Sequence, residues 1–216
     1  MAFGISTASG EDFLPILKFN AKAGRMYRPD RKEVNGEWQT TETEITQNAV
    51  FIADLANVEI GWIDLADGNV DFQMVPLGQP KPPKPQHGKH KEGFRMRVKL
   101  GKDCGGDVRE FASTAGVVIS ALGPIEQAYN EAPEKSQGQL PIIRLAGCLP
   151  IQSKHGTNYQ PQFEIIGWAD RPEDLTATEA APAQEQQAAP VQTNGAATHA
   201  PPPQTAQEPV TANTQF

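Results

Sequence analysis

Residues 80–102 read PKPPKPQHGKHKEGFRMRVKLGK and gather eight cationic side chains: Lys81, Lys84, Lys89, Lys91, Arg95, Arg97, Lys99 and Lys102. One acid, Glu92, stands among them, so the segment carries a local charge of +7 inside a chain whose formal net charge is −7. Ammonium and guanidinium groups at this density suit a polyanion, and nucleic acid is the commonest one. Residues 94–100 also alternate, with Phe94, Met96, Val98 and Leu100 between Arg95, Arg97 and Lys99. In a strand, successive side chains take opposite faces, so the apolar set would enter a core and the cations would form an outer ridge. A second basic group, Arg25 and Arg28 around Tyr27, follows Lys18 and Lys22. Binding single strands needs cations for phosphates and exposed rings for bases. Tyr27 and Trp38 are the expected stacking rings, because both have polar or basic neighbours. The expected nucleic-acid-binding set is therefore Lys18, Lys22, Arg25, Tyr27, Arg28, Trp38, Lys89, Lys91, Arg95, Arg97 and Lys99, with Lys81 and Lys84 adding charge. Trp62, Phe72, Phe94, Phe111, Phe163 and Trp168 lie on apolar-patterned stretches and are expected in the core.

Other chemistries find less support. His87 and His90 have ligand-like spacing, and Cys104 and Cys148 would complete a tetrahedral zinc set. The cysteines stand 44 positions apart without a CxxC spacing, and the histidines lie in a Pro/Lys-rich stretch, so no metal and no cofactor is expected. Reduced thiols in a cytosolic protein are the simpler reading. Asp64, Asp67 and Asp71 flank a turn, where solvated carboxylates are ordinary, and a magnesium-dependent nuclease is a distant alternative. Without a phosphate-binding GxxxxGK[ST], an HExxH or a GxSxG, the chain is not expected to be an enzyme and no catalytic residue is assigned.

The elements that must position these groups follow from periodicity. Residues 13–22 alternate as a first strand, and residues 29–48 are polar enough for a long loop or an irregular hairpin arm with a turn at Asn35-Gly36. Residues 49–65 and 70–76 read as a hairpin turning at Asp67-Gly68. A mobile basic Pro/Lys loop over 78–92 leads into the basic strand. From Asp107 to Leu122 the period changes: Val108, Phe111, Ala115, Val118, Ile119 and Leu122 recur at helical spacing, with Asp107 as N-cap and Gly123-Pro124 as the end or a kink. Residues 140–153 and 159–168 close the domain as a hairpin. The order is several strands, one helix, then two strands. The expected fold is mainly β (α+β): an oligonucleotide-binding-like barrel of five to six strands with one helix before the last two.

Composition divides the chain. All 19 basic residues lie in residues 1–171, whereas residues 176–216 hold no Lys, Arg, Trp or Tyr and are rich in Ala, Pro, Gln and Thr. Such a stretch cannot bury enough apolar surface to offset its ordering entropy, so a disordered tail over 176–216 is expected, with a flexible N-terminus over 1–12. Residues 13–175 form the expected domain. The N-terminal residues lack the basic and apolar regions of a signal peptide, and no apolar run reaches the roughly 20 residues of a membrane span. The chain is expected to be soluble, in the cytoplasm of a bacterial host cell.

Three segments carry a resemblance: residues 13–31 (FLPILKFNAKAGRMYRPDR), residues 105–113 (GGDVREFAS) and residues 163–175 (FEIIGWADRPEDL). They resemble a family of mostly uncharacterised proteins from phages and prophages of alphaproteobacteria, which implies a phage context and transfers no catalytic motif. The Gln/Pro/Ala-rich tail ending Thr214-Gln215-Phe216 resembles that of bacterial and phage single-stranded DNA-binding proteins. There a terminal Phe in an acidic tip docks partners; this chain has one acid, Glu208, in its last ten residues. The resemblance implies a docking role for Phe216 toward replication or recombination proteins. The function expected from the sequence is protection of single-stranded DNA in replication or recombination. The alternative is a phage protein-interaction module whose basic loop docks an acidic partner.

Overall fold

Ten strands form one sheet in the computed structural model, which describes residues 14–64, 71–154 and 156–175. The strands are β1 (Ile16–Asn20), β2 (Arg25–Val34), β3 (Glu37–Glu44), β4 (Val50–Ala53), β5 (Glu59–Asp64), β6 (Asp71–Pro76), β7 (Lys91–Leu100), β8 (Val108–Ser113), β9 (Leu140–Ser153) and β10 (Gly156–Ala169). Their order is β10-β9-β4-β7-β8-β1-β2-β3, and the β5–β6 hairpin branches from β7 through β5. β1 runs parallel to β8, with Leu17 opposite Phe111; the other pairings are antiparallel. Local chemistry fixes the tight connections. The Asn20 side chain accepts the Lys22 and Ala23 amides at 3.0 and 3.2 Å and turns β1 into β2. Asn35 and Gly36 both take positive φ (56° and 81°), the geometry that joins β2 to β3 with two residues.

The sheet rolls around its aromatic core without closing. Phe163 on β10 meets Phe51 on β4 and Phe111 on β8 edge-to-face at 6.1 and 6.4 Å, and Phe111 meets Phe94 on β7 at 5.4 Å. Such ring pairs contribute about 0.5–1.5 kcal/mol each beyond the area they bury. Across the roll, the Tyr159 amide donates to the Ala21 carbonyl at 2.7 Å. β3 and β10 nevertheless remain the ends of the strand order. A mainly β fold with few helices is therefore correct; in place of the expected oligonucleotide-binding-like barrel of five to six strands, the described residues form one ten-stranded sheet that does not close. The extra strands come from the polar 25–44 segment, which pairs with itself, and from division of the 49–65 run into β4, a one-turn 3-10 helix (Leu55–Asn57) and β5.

A helix does precede the last two strands, but later than its period suggested. Residues 108–113 are β8, whose buried Arg109 and Phe111 alternate with half-buried neighbours, and α1 spans Gly116–Glu131. Val108 and Phe111 fell in helical step with Ala115 by coincidence; strand pairing to β1 and β7 claimed them. Asp107 is accordingly not an N-cap. Instead Ser113 Oγ accepts the Ala115 amide at 3.1 Å just ahead of α1. α1 continues through Pro124, which lies on its exposed side, where the carbonyl one turn back meets water. It stops at Ala132, held extended ahead of Pro133, which opens the short α2 (Pro133–Ser136). Val118, Ile125 and Tyr129 of α1 join the core, and Tyr129 stacks on Trp168 of β10 at 6.2 Å. Among the described residues no helix is long and apolar enough to cross a membrane.

Candidate nucleic-acid interface

β7 has the alternation expected of it. Phe94, Met96, Val98 and Leu100 are buried, and Arg95, Arg97 and Lys99 lie on the other face, half-buried. The ridge is not a positive one. Arg95 chelates Glu59 of β5 through Nε (2.7 Å) and Nη2 (2.6 Å) and stands 3.8 Å from Glu110 of β8. Lys99 pairs with Asp174, and Arg97 sits opposite Glu110 in register. Three cations thus face three carboxylates drawn from β5, β8 and the C-terminal segment. Burial pushes the Glu110 carboxyl up despite Arg95 and Arg97 beside it.

The β1–β2 cations are paired in the same manner. Lys18 meets Glu42 at 2.8 Å and Arg25 meets Glu44 at 2.5 Å, both carboxylates coming from β3. Lys22 is exposed in the β1–β2 turn. Tyr27 is half-buried and shares its face with Lys18, its partner in register. Arg28 belongs to a different group. Its Nε donates to Asp30 at 3.0 Å and its Nη1 to the Cys104 carbonyl at 3.0 Å, so it serves the fold rather than a phosphate. Beside it, Arg109 is 3% exposed and bonds Asp30, Asp107 and the Ile16 and Pro29 carbonyls. Burial raises the Asp30 carboxyl, but the hydrogen bonds and charges of Arg109 and Arg28 outweigh it, and the net shift is downward. This cluster roots the β2–β3 ribbon in the sheet.

Beyond that root the ribbon stands in solvent on both faces: all of β3 and the β2 residues from Arg31 onward are exposed. Trp38 is 60% exposed, and the Arg31 guanidinium lies 5.0 Å from its ring centroid; Glu33 is the cross-strand partner of Trp38, and Lys32 takes the opposite face of the ribbon. An indole this open, with a cation over one face, leaves its other face for a planar partner. The exposure of Trp38 accords with its polar neighbours in the sequence. Arg31 went unassigned, although its place across the Asn35-Gly36 turn from Trp38 was a readable signal.

The 78–92 segment is not a free arm. The Trp62 indole N–H donates to the Pro82 carbonyl at 2.9 Å, and Lys84 Nζ lies 5.6 Å from the Trp62 ring centroid. Lys81 pairs with Glu92, the Lys89 amide donates to Asp64 at 2.6 Å, and buried His90 bonds Asp71 at 2.9 Å through Nε2. His87 supplies its carbonyl to His90 Nδ1 at 3.0 Å. The Lys89 and Lys91 side chains are exposed. Trp62 and Phe72 are thus half-buried outside the core, contrary to expectation, and lie on opposite faces of the β5–β6 hairpin because Phe72 registers with Ile63. Each carries a cation, Lys84 over Trp62 and Arg95 over Phe72 (4.9 Å). Phe94 and Phe111 are buried as expected, and Phe163 and Trp168 are partly buried against the core cluster.

Cys104 is buried with its thiol on the Asn48 carbonyl (2.8 Å), Cys148 points to the Gly24 carbonyl (3.2 Å), and both are free. Among the described residues no group of three or more His, Cys, Asp or Glu is placed to hold a metal ion. Asp67, the N-terminal residues 1–12, the tail 176–216 and Phe216 lie outside the described residues. No protein-family model, no curated protein and no solved structure matches this chain.

Proposed function

We propose that this protein binds single-stranded DNA, with the β2–β3 ribbon as its principal contact, and serves phage or prophage DNA replication or recombination in the bacterial cytoplasm. The observation that carries the reading is the open Trp38 ring with Arg31 over it, on a ribbon solvated on both faces. One base stacked on such a ring contributes about 1–3 kcal/mol, with little dependence on sequence. The carboxylates on Lys18 and Arg25 are compatible with the reading, because exposed ion pairs contribute only about 0–1 kcal/mol and a phosphate can take the carboxylate's place. A rolled sheet with a helix ahead of its final hairpin further supports an oligonucleotide-binding plan, enlarged by the ribbon and by the β5–β6 branch. Neutralisation of Arg95 and Lys99 by Glu59 and Asp174 favours a second reading, a protein-docking module.

Fluorescence anisotropy of a labelled strand of about 30 nucleotides, at two salt concentrations and against duplex, separates the two. The first reading expects salt-weakened binding that prefers the single strand. It also expects Trp38→Ala to weaken binding about 5- to 100-fold, the range of one stacked base. No binding at either salt concentration would leave the docking module as the better account.

A further inference from the structure

We propose a second base-stacking position at Trp62, covered in the free protein by residues 77–91 acting as a strap that single-stranded DNA displaces; this rests on the DNA-binding reading above. From Leu77 to Lys91 the strap holds four lysines and no acid. It is fastened at three points, each ending on a carboxylate of the strands beneath. Lys81 pairs with Glu92 of β7, the Lys89 amide donates to Asp64 of β5, and His90 bonds Asp71 of β6. Between those fastenings the strap occupies the binding features of the indole. Pro82 O takes the ring N–H at 2.9 Å and Lys84 lies over the ring at 5.6 Å. These are the places that a base and its phosphate neighbour would fill. A polyanion competes directly for Lys81, one of the three fastenings, and for Lys84, the cation over the ring, and it uncovers the ring as it recruits these lysines. The occupant is a polynucleotide rather than an acidic protein because the covered feature is a flat aromatic face flanked by cations. An acidic peptide would engage the lysines without needing the ring.

The test uses the full chain and the same labelled strand. Trp62→Leu is expected to weaken binding about 5-fold or more, the low end for one stacked base. Glu92→Gln, which cuts a fastening at an exposed site, is expected to tighten it about 2-fold. The charge-matched Glu131→Gln on α1 should leave affinity unchanged. Hydrogen exchange at the amides of residues 84–90 should accelerate when the strand is bound. If the wild-type chain binds yet those amides exchange at the same rate or more slowly, the strap is not displaced and the inference falls alone. Equal affinity of the Trp62→Leu chain, or equal tightening by Glu131→Gln, overturns it too. If the wild-type chain fails to bind, the DNA-binding reading falls, and this inference goes with it.

Discussion

Glu110 sits on β8 facing Arg95 and Arg97, yet burial raises its carboxyl above the ordinary range, so lost hydration outweighs the two guanidinium groups. A group raised in the fold is neutral to stability below its unfolded value and costs stability as pH climbs through the folded value. Glu110→Gln should therefore raise the melting temperature at pH 7, and the gain should vanish as pH falls below the usual carboxylate range. A thermal melt of both chains at pH 3.5 and pH 7 checks the sign. Asp54 is only 1% exposed and is held by both terminal nitrogens of Arg171 at 2.6 and 2.7 Å. Arg171→Met removes the charge partner of that carboxylate, leaving it the Asn57 side-chain amide at 3.0 Å, and should cost about 3 kcal/mol in urea unfolding, the low end for a broken buried pair.

Among the elements, the β2–β3 ribbon is the separable one. Its stem is fixed by Arg109, Arg28 and Asp30, and everything from Arg31 to Thr41 lies outside the packed sheet. Replacing residues 31–40 with a short Asn-Gly turn should leave the melting temperature within a few degrees and abolish most oligonucleotide binding. The ribbon's turn was legible because Asn35-Gly36 is a local signal. The β7 alternation was legible for the same reason: its period of two resides in seven consecutive residues. What could not be read was pairing at a distance. Glu59 reaches Arg95 across 36 positions and Asp174 reaches Lys99 across 75, and neither partner has a local mark. The 108–122 stretch was misread because three apolar positions of β8 and its exit fit a helical step, while the strand's inward partner to Phe111 is a buried arginine that hides the alternation. The lysine-rich segment read as an arm because its fastenings, Asp64 and Asp71, belong to other strands.

At the scale of the molecule, residues 1–175 carry 19 basic and 23 acidic side chains, and the cations of the strand faces are matched locally. A polyanion can release few counterions from such a surface. The slope of log K against log salt should be shallow, about −2 to −3, as expected for roughly three to four phosphates on a single strand. A slope of about −6 would mean that all eight cations of the basic run contact phosphate. The unclosed sheet has one more consequence, at the rims formed by β3 and β10, the ends of its main strand order. β3 presents Glu37, Glu42 and Glu44 along its length, and the β10 rim contains Pro161, which has no amide to donate, and Tyr159, whose amide is already taken by Ala21. Charge and proline at an outer strand oppose strand-to-strand polymerisation. Copies crowded side by side can therefore remain discrete particles instead of fusing into one continuous ladder.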